Sequence, residues 1–188
     1  LKGQRVKGLI LTPVNDYSDK ESANRVRRQL DNLQVPVVIL DRQMEYSQWD
    51  GVFFENFRGA YAGTEVLIKE GHKKIGIITG DLNLKIGRDR YRGYIQAMED
   101  YDIPIQAQYI LEGNFSEDKA YELMKRCIES NDIPEAILTC NNRTTLGFIR
   151  ALREYKLILG KDIAAIGIDR INILDNLGYN FSYIARDT

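Results

Sequence analysis

An α/β fold built on parallel sheets is what this sequence predicts, on three observations. Short apolar runs alternate with longer amphipathic stretches along the whole chain. The runs are apolar at nearly every position, the pattern of strands covered on both faces. Strand and helix succeed one another in strict turn, which argues for βαβ units.

The elements fall in order. Val6–Leu11 is the first strand, stopped by Thr12-Pro13. A helix runs from about Asp19 to Leu33, because Val26, Leu30 and Leu33 recur on one helical face. Val35–Leu40 is the next strand, with Pro36 near its start, where a ladder tolerates a missing N–H. Gly51–Phe54 is the third. A helix from about Arg58 to Glu70 ends at Gly71, a residue suited to the left-handed turn after a helix. Lys74–Thr79 is the fourth strand, and a helix from about Gly87 to Tyr101 comes after it. Then come a strand at Gln108–Glu112 and a helix at Ser116–Ser130. Ser116 caps that helix, and Glu117 and Asp118 suit the positive end of its dipole. A strand at Ala136–Thr139, a helix at Arg143–Tyr155, a strand at Ile163–Gly167 and an extended piece at Phe181–Ala185 complete the series.

Composition excludes several classes. At 188 residues, the chain holds one large domain or two small ones and can bury a core without disulfide staples. With 26 basic and 27 acidic residues its net charge is −1, so no general charge draws it to nucleic acid or an anionic membrane. Arg25, Arg27 and Arg28 cluster, but beside Glu21 and Asp31 on a predicted helix, so they read as a solvated face. Cys127 and Cys140 have no metal or redox spacing and read as small apolar fillers, in keeping with a reducing cytosol. No stretch approaches the roughly 20 apolar residues of a membrane span.

Catalytic and cofactor signatures are missing too. Gly76 and Gly80 bracket a strand, yet no Gly-x-Gly-x-x-Gly comes after one, and there is no Walker loop. His72 is the only histidine, which rules out a multi-histidine metal site. No Ser-His-Asp set or Gly-x-Ser-x-Gly elbow is evident. Asp81 and Asp169 read as isolated acids at strand ends rather than as a catalytic pair. The expectation is therefore a protein that is not an enzyme and uses neither cofactor nor metal.

In open parallel sheets, ligands bind beyond the carboxyl ends of the strands. The residues there are Thr12, Asp41, Glu55-Asn56, Gly80-Asp81, Gly113-Asn114-Phe115, Asn141-Asn142 and Asp169-Arg170. Amides and carboxylates for hydroxyls, with one aromatic face, are the mixture that suits a sugar or a nucleoside. Each residue also has a plainer reading. Arg90, early in its helix, could be a plain surface arginine or a partner of Asp89. Phe115 could be a staple against the helix after it. Asn141 and Asp169 could be turn or cap residues.

Several segments together resemble the LacI/GalR family of bacterial regulators. Val6–Leu11 is similar to its V-x-G-(I/L)-I strand, and Asn56–Ala60 to its D-N-x-x-G-A turn. Leu67–Gly76 is close to L-I-x-x-G-H-x-x-I-(A/G), and Arg88–Tyr94 to R-x-R-L-x-G-(Y/F). Gly113–Ser116, Ala136–Asn142 and Gly160–Asp169 resemble the motifs G-(D/N)-(F/W)-(S/T), A-(I/V)-x-x-x-N-D and G-x-D-(I/V)…G-(F/Y)-D. The likeness spans nearly the whole chain, in order. Asn142 stands where the family has aspartate, and Tyr91 where it has leucine.

The resemblance implies a type I periplasmic-binding-protein-like fold of two Rossmann-like lobes, the first incomplete, because two βα units of that lobe would precede Leu1. It divides the chain into residues 1–71 of the N-terminal lobe, residues 72–180 of the C-terminal lobe, and residues 181–188 as a strand crossing back. It implies an effector cleft with Arg90, Phe115, Asn141 and Asp169 contributed by the second lobe, and Thr12 and Asn56 at first-lobe positions. Its partners would be a sugar- or nucleoside-like effector, operator DNA through a headpiece outside these residues, and a second copy in a homodimer. The setting implied is cytoplasmic, with no membrane contact. A periplasmic or secreted sugar-binding protein of a transporter shares the fold and most of the motifs.

Overall fold

The computed structural model describes residues 6–15, 17, 20–44 and 48–186. The chain forms two compact units, Leu1–Phe54 and Glu55–Thr188.

In the first unit, β1 (Leu9–Leu11), β2 (Val37–Asp41) and β3 (Gly51–Phe53) form a parallel sheet in that order, with helix α1 (Lys20–Asp31) between β1 and β2. Asp19, the expected start of the helix, lies outside the described residues. Leu30 is buried with Val37 and Ile39, and Val26, Leu9 and Leu11 pack around them. This is the helical face expected from the spacing of Val26 and Leu30. Ile10, Leu40 and Val52 lie on the opposite sheet face and are 73%, 39% and 60% exposed. Arg25, Arg27 and Arg28 are exposed, with Arg25 bonded to Ser22 and Arg27 paired with Asp31.

The second unit runs α2 (Asn56–Lys69), β4 (Ile75–Ile78), α3 (Lys85–Asp100), β5 (Ile110–Leu111), α4 (Glu117–Glu129), β6 (Ala136–Thr139), α5 (Asn142–Glu154), β7 (Ala164–Ile168), α6 (Asn172–Asn176) and β8 (Ser182–Ile184). Its five strands are parallel, in the order β5-β4-β6-β7-β8. Helices α2 and α3 cover one face, where Ala60, Leu67, Tyr94 and Ala97 meet Ile75, Ile77, Leu138 and Ile166. On the other face, α4 and α5 bring Tyr121, Met124, Phe148 and Leu152 against Ile78, Ile137 and Ile163. Every residue of β4 and β6 is buried, which is why those segments read as unbroken apolar runs.

Local signals act where the sequence placed them. Gly71 has φ +97°, and its N–H and that of His72 close the end of α2 on the carbonyls of Ile68 and Leu67. Ser116 accepts from the Lys119 N–H as the cap of α4. Two details differ. The expected strand over Gln108–Glu112 shrinks to β5, because Ala107–Tyr109 forms a single 3-10 turn. The buried Tyr109 there donates to Asp132 at 2.5 Å. Helix α6 was not expected, since five residues are too few to show a helical period.

The two units divide between Phe54 and Glu55, earlier than the expected boundary at residue 71. The reason is packing. The buried face of α2 comprises Ala60, Gly63, Thr64, Leu67 and Ile68. It lies on the five-stranded sheet, where a Cβ on Gly63 would sit 3.0 Å from Leu138 and 3.3 Å from Ile184. The piece expected to cross back over residues 181–188 contributes β8 to the same sheet, paired with β7 from Ile166↔Ser182 to Ile168↔Ile184. Residues 187 and 188 lie outside the described residues.

Candidate functional site

The carboxyl ends of β5, β4, β6, β7 and β8 lie side by side, and the chain leaves them at Phe115, Gly80, Asn141, Asp169 and Arg186 in that spatial order. This rim brings together five of the six residues singled out in the sequence: Arg90, Phe115, Asn141, Asp169 and Asn56. Thr12 comes directly after β1 in the first unit and is exposed.

Arg90 is the centre of the arrangement. It sits on the buried face of α3 and is only 2% exposed, so the plain surface reading does not hold. Its Nε donates to Asn56 Oδ1 at 2.9 Å, and its Nη1 donates to the Cys140 carbonyl. The guanidinium carbon stands 6.0 Å from the centre of the Phe115 ring, within cation–π range. One side chain therefore joins the start of α2, the end of β6 and the loop after β5. A guanidinium stays charged at any physiological pH. Asn56 was expected at a first-lobe position; it belongs to the second unit because α2 packs there.

Phe115 is half-buried and packs against the core on the α2–α3 side. Asn114 and Phe115 both have positive φ, 51° and 54°. Two consecutive non-glycine residues in the left-handed region store backbone strain, which concentrates at functional loops. The turn lays the ring over Gly80, where any Cβ would sit 2.0 Å from it. Glycine at position 80 is thus a space requirement, not a phosphate loop.

Asn141 caps α5. Its Oδ1 accepts from the Thr144 N–H at 2.9 Å and the Thr144 hydroxyl bonds back, a reciprocal capping box. The cap reading is correct, and it fixes the side chain. Its Nδ2 makes no hydrogen bond to a described residue, so the group can serve helix and ligand at once. An Asn141→Ala variant is expected to lose about 1 kcal/mol of stability, the usual worth of such a cap. Asn141→Ser should restore most of that in a urea melt without restoring the amide donor.

Asp169 is a turn residue with φ +78°. Its N–H donates to the Ile184 carbonyl at 3.1 Å. Both carboxylate oxygens accept from Arg186, Oδ1 from Nε and Oδ2 from Nη2. Arg170 is drawn aside to Asp175. Arg186 was not among the residues that the sequence singled out. Thr12, Asn56, Phe115, Asn141 and Asp169 lie just past strand ends, and Arg90 came from the family resemblance; Arg186 is placed only by the pairing of β8 with β7.

Cys140 is fully buried, which pushes its thiol up to about 11 although Arg90 lies alongside. It stays protonated and acts as an apolar filler. Glu135 accepts from the N–H groups of Lys73 and Lys74, which hold its carboxyl below the usual range and bind the segment entering β4 to the start of β6. Among the described residues no group of three or more His, Cys, Asp or Glu could hold a metal ion, and no helix is long and apolar enough to cross a membrane.

Comparison with known proteins agrees with this fold. The family model described as periplasmic binding proteins and sugar binding domain of LacI family matches residues 1–184. An HTH-type transcriptional repressor PurR of Haemophilus influenzae is 38% identical over 138 residues, 73% of this chain and 41% of that protein. The chain thus spans about two fifths of the length of the curated relatives it matches. A regulatory protein of LacI family from Chloroflexus aggregans has a similar structure, with TM-score 0.83 and 28% identity over 97% of this chain and 63% of that one. A LacI family transcriptional regulator from Enterococcus faecium, solved with bound ribose, is similar in fold, with TM-score 0.79 and 22% identity over 95% of this chain and 64% of that one.

Proposed function

This chain belongs to the family of periplasmic binding proteins and LacI-type sugar binding domains, and from that premise we propose that it senses a small sugar- or nucleoside-like effector at the carboxyl rim of its five-stranded sheet for a cytoplasmic DNA-binding regulator. The observation that carries the reading is Arg90. A buried cation bonded to Asn56 and the Cys140 carbonyl, with the Phe115 ring beside it, is a preorganised polar site with an apolar wall. The protein binds and does not catalyse. Occupancy biases two conformations that differ in affinity for the effector, and a headpiece outside these residues reads the difference on operator DNA.

Relatives named as transcriptional repressors support the regulator over a transport protein. Ile173 and Leu177, in and just after α6, are 52% and 62% exposed, apolar surface of the kind that pairs with a second copy in a homodimer.

Calorimetry with a panel of sugars, nucleosides and purine bases tests the sensing role. Saturable heat with one class is expected, weakened in Phe115→Ala, and silence across the panel sinks the reading. Sedimentation of the same sample should show a dimer.

A further inference from the structure

Arg186 stands out among the charged groups of the rim because it occupies a residue expected to meet ligand. Its guanidinium takes both oxygens of Asp169 in a fork-to-fork pair. The sheet enforces this. Strands β7 and β8 stay in register to Ile168↔Ile184, and the Asp169 N–H extends the ladder by one bond to Ile184. Arg186 comes two residues later, at the height of the carboxylate. The side chains keep 30% and 18% of their surface exposed, so the pair is open to solvent. The neighbouring cation, Arg170, is held by Asp175 and does not compete.

Resting on the sensing role proposed above, we infer that Arg186 is a specificity-determining residue of the Asp169 subsite: it turns a lone carboxylate into a charge-neutral fork that selects neutral hydroxyl pairs over cationic amines. The physical reason is the change in what a ligand meets. A lone half-buried carboxylate attracts any donor, and most strongly an ammonium group. Once paired with Arg186 it carries no net charge to reward a cation. It still offers carboxylate lone pairs beside guanidinium N–H groups, a donor and acceptor set that matches adjacent sugar hydroxyls, each of which both donates and accepts. A cation entering beside Arg186 also meets repulsion.

The test uses the full chain and sugars paired with their amino counterparts: glucose with glucosamine, galactose with galactosamine, mannose with mannosamine. For whichever pair binds, the affinity ratio of sugar to amino sugar is measured by calorimetry in wild type, Arg186→Gln and Arg186→Lys. Arg186→Gln is expected to shift the ratio toward the amino sugar by about tenfold, the scale of one charge contact near a surface. Arg186→Lys, which keeps the charge and loses the fork, should leave the ratio near wild type while weakening both ligands. Thermal melts confirm that each variant is folded. A ratio unmoved in Arg186→Gln overturns the inference and leaves the sensing role standing. Failure of every pair to bind wild type defeats the sugar reading and takes this inference with it.

Discussion

Replacing Arg90 with methionine is expected to weaken effector binding by at least about 100-fold, near 2.7 kcal/mol, while lowering stability by only about 2 kcal/mol. The split comes from the two jobs of the guanidinium. Methionine fills much of the same space on the buried face of α3 and removes the cost of keeping a charge out of water, which offsets part of the loss. Against that, Asn56 Oδ1 and the Cys140 carbonyl each lose a charge-assisted donor, and an abandoned acceptor costs roughly 1–3 kcal/mol. The binding loss has no such offset. Under the proposed sensing role the rim would lose its cation, and the start of α2, the end of β6 and the Phe115 loop lose their common tie. Arg90→Lys is expected to recover little, since an ammonium cannot bond Asn56 and the Cys140 carbonyl in one plane. Urea melts and calorimetry on the same preparations separate the two numbers. Wild-type affinity in Arg90→Met removes Arg90 from the site.

What the sequence made legible here is what local physics controls. The order of elements was readable because β4 and β6 are buried along their whole length and the helices between strands are amphipathic. Helix ends were readable wherever a single residue does the work, as Gly71, Ser116 and Asn141 do. The rim was readable in outline, because parallel strands place their carboxyl ends together whatever the side chains. Partnerships were not. Nothing local to Asn56 says that its amide meets Arg90, or that α2 belongs with the second unit. Those facts depend on which face of α2 has the glycine that lets it approach the sheet. Arg186 escaped for the same reason. It reads as one arginine near a terminus until β8 is placed beside β7. Where alternatives stood open, as with Asn141 and Phe115, the structure shows the plainer one in place: Asn141 caps α5 and Phe115 packs against the core, and each contact fixes its side chain.

The last prediction concerns a residue that touches no ligand. Gly93→Ala should destabilise the second unit by about 3 kcal/mol, the upper part of the usual overpacking range, and should also impair binding. The ordinary effect of this change in a helix is the reverse, a gain of up to about 1 kcal/mol from helix propensity. Geometry decides the sign. A Cβ at position 93 would lie 2.3 Å from the Phe57 carbonyl oxygen, 2.9 Å from the Tyr61 nitrogen and 3.0 Å from the Ala60 Cβ. The two closest of these are backbone atoms of α2 and cannot rotate away, so the helices must part by on the order of an ångström, which already forfeits much of their contact energy. Tyr61 bonded to Asp100, and Tyr101 to Glu65, tie the same two helices together and resist a simple separation. The displacement falls where it matters. Phe57 is next to Asn56 in the chain, and Gly93 lies one turn beyond Arg90, so parting α2 from α3 at this point pulls on the 2.9 Å bond that joins them. Arg92→Ala, on the same helix with 72% of its side chain exposed, should change neither property. A double-mutant cycle gives the decisive number. If Gly93 acts on binding through the Arg90–Asn56 bond, Gly93→Ala added to Arg90→Met will cost much less affinity than it does alone. Full additivity of the two losses would mean that the close approach of α2 and α3 serves stability only.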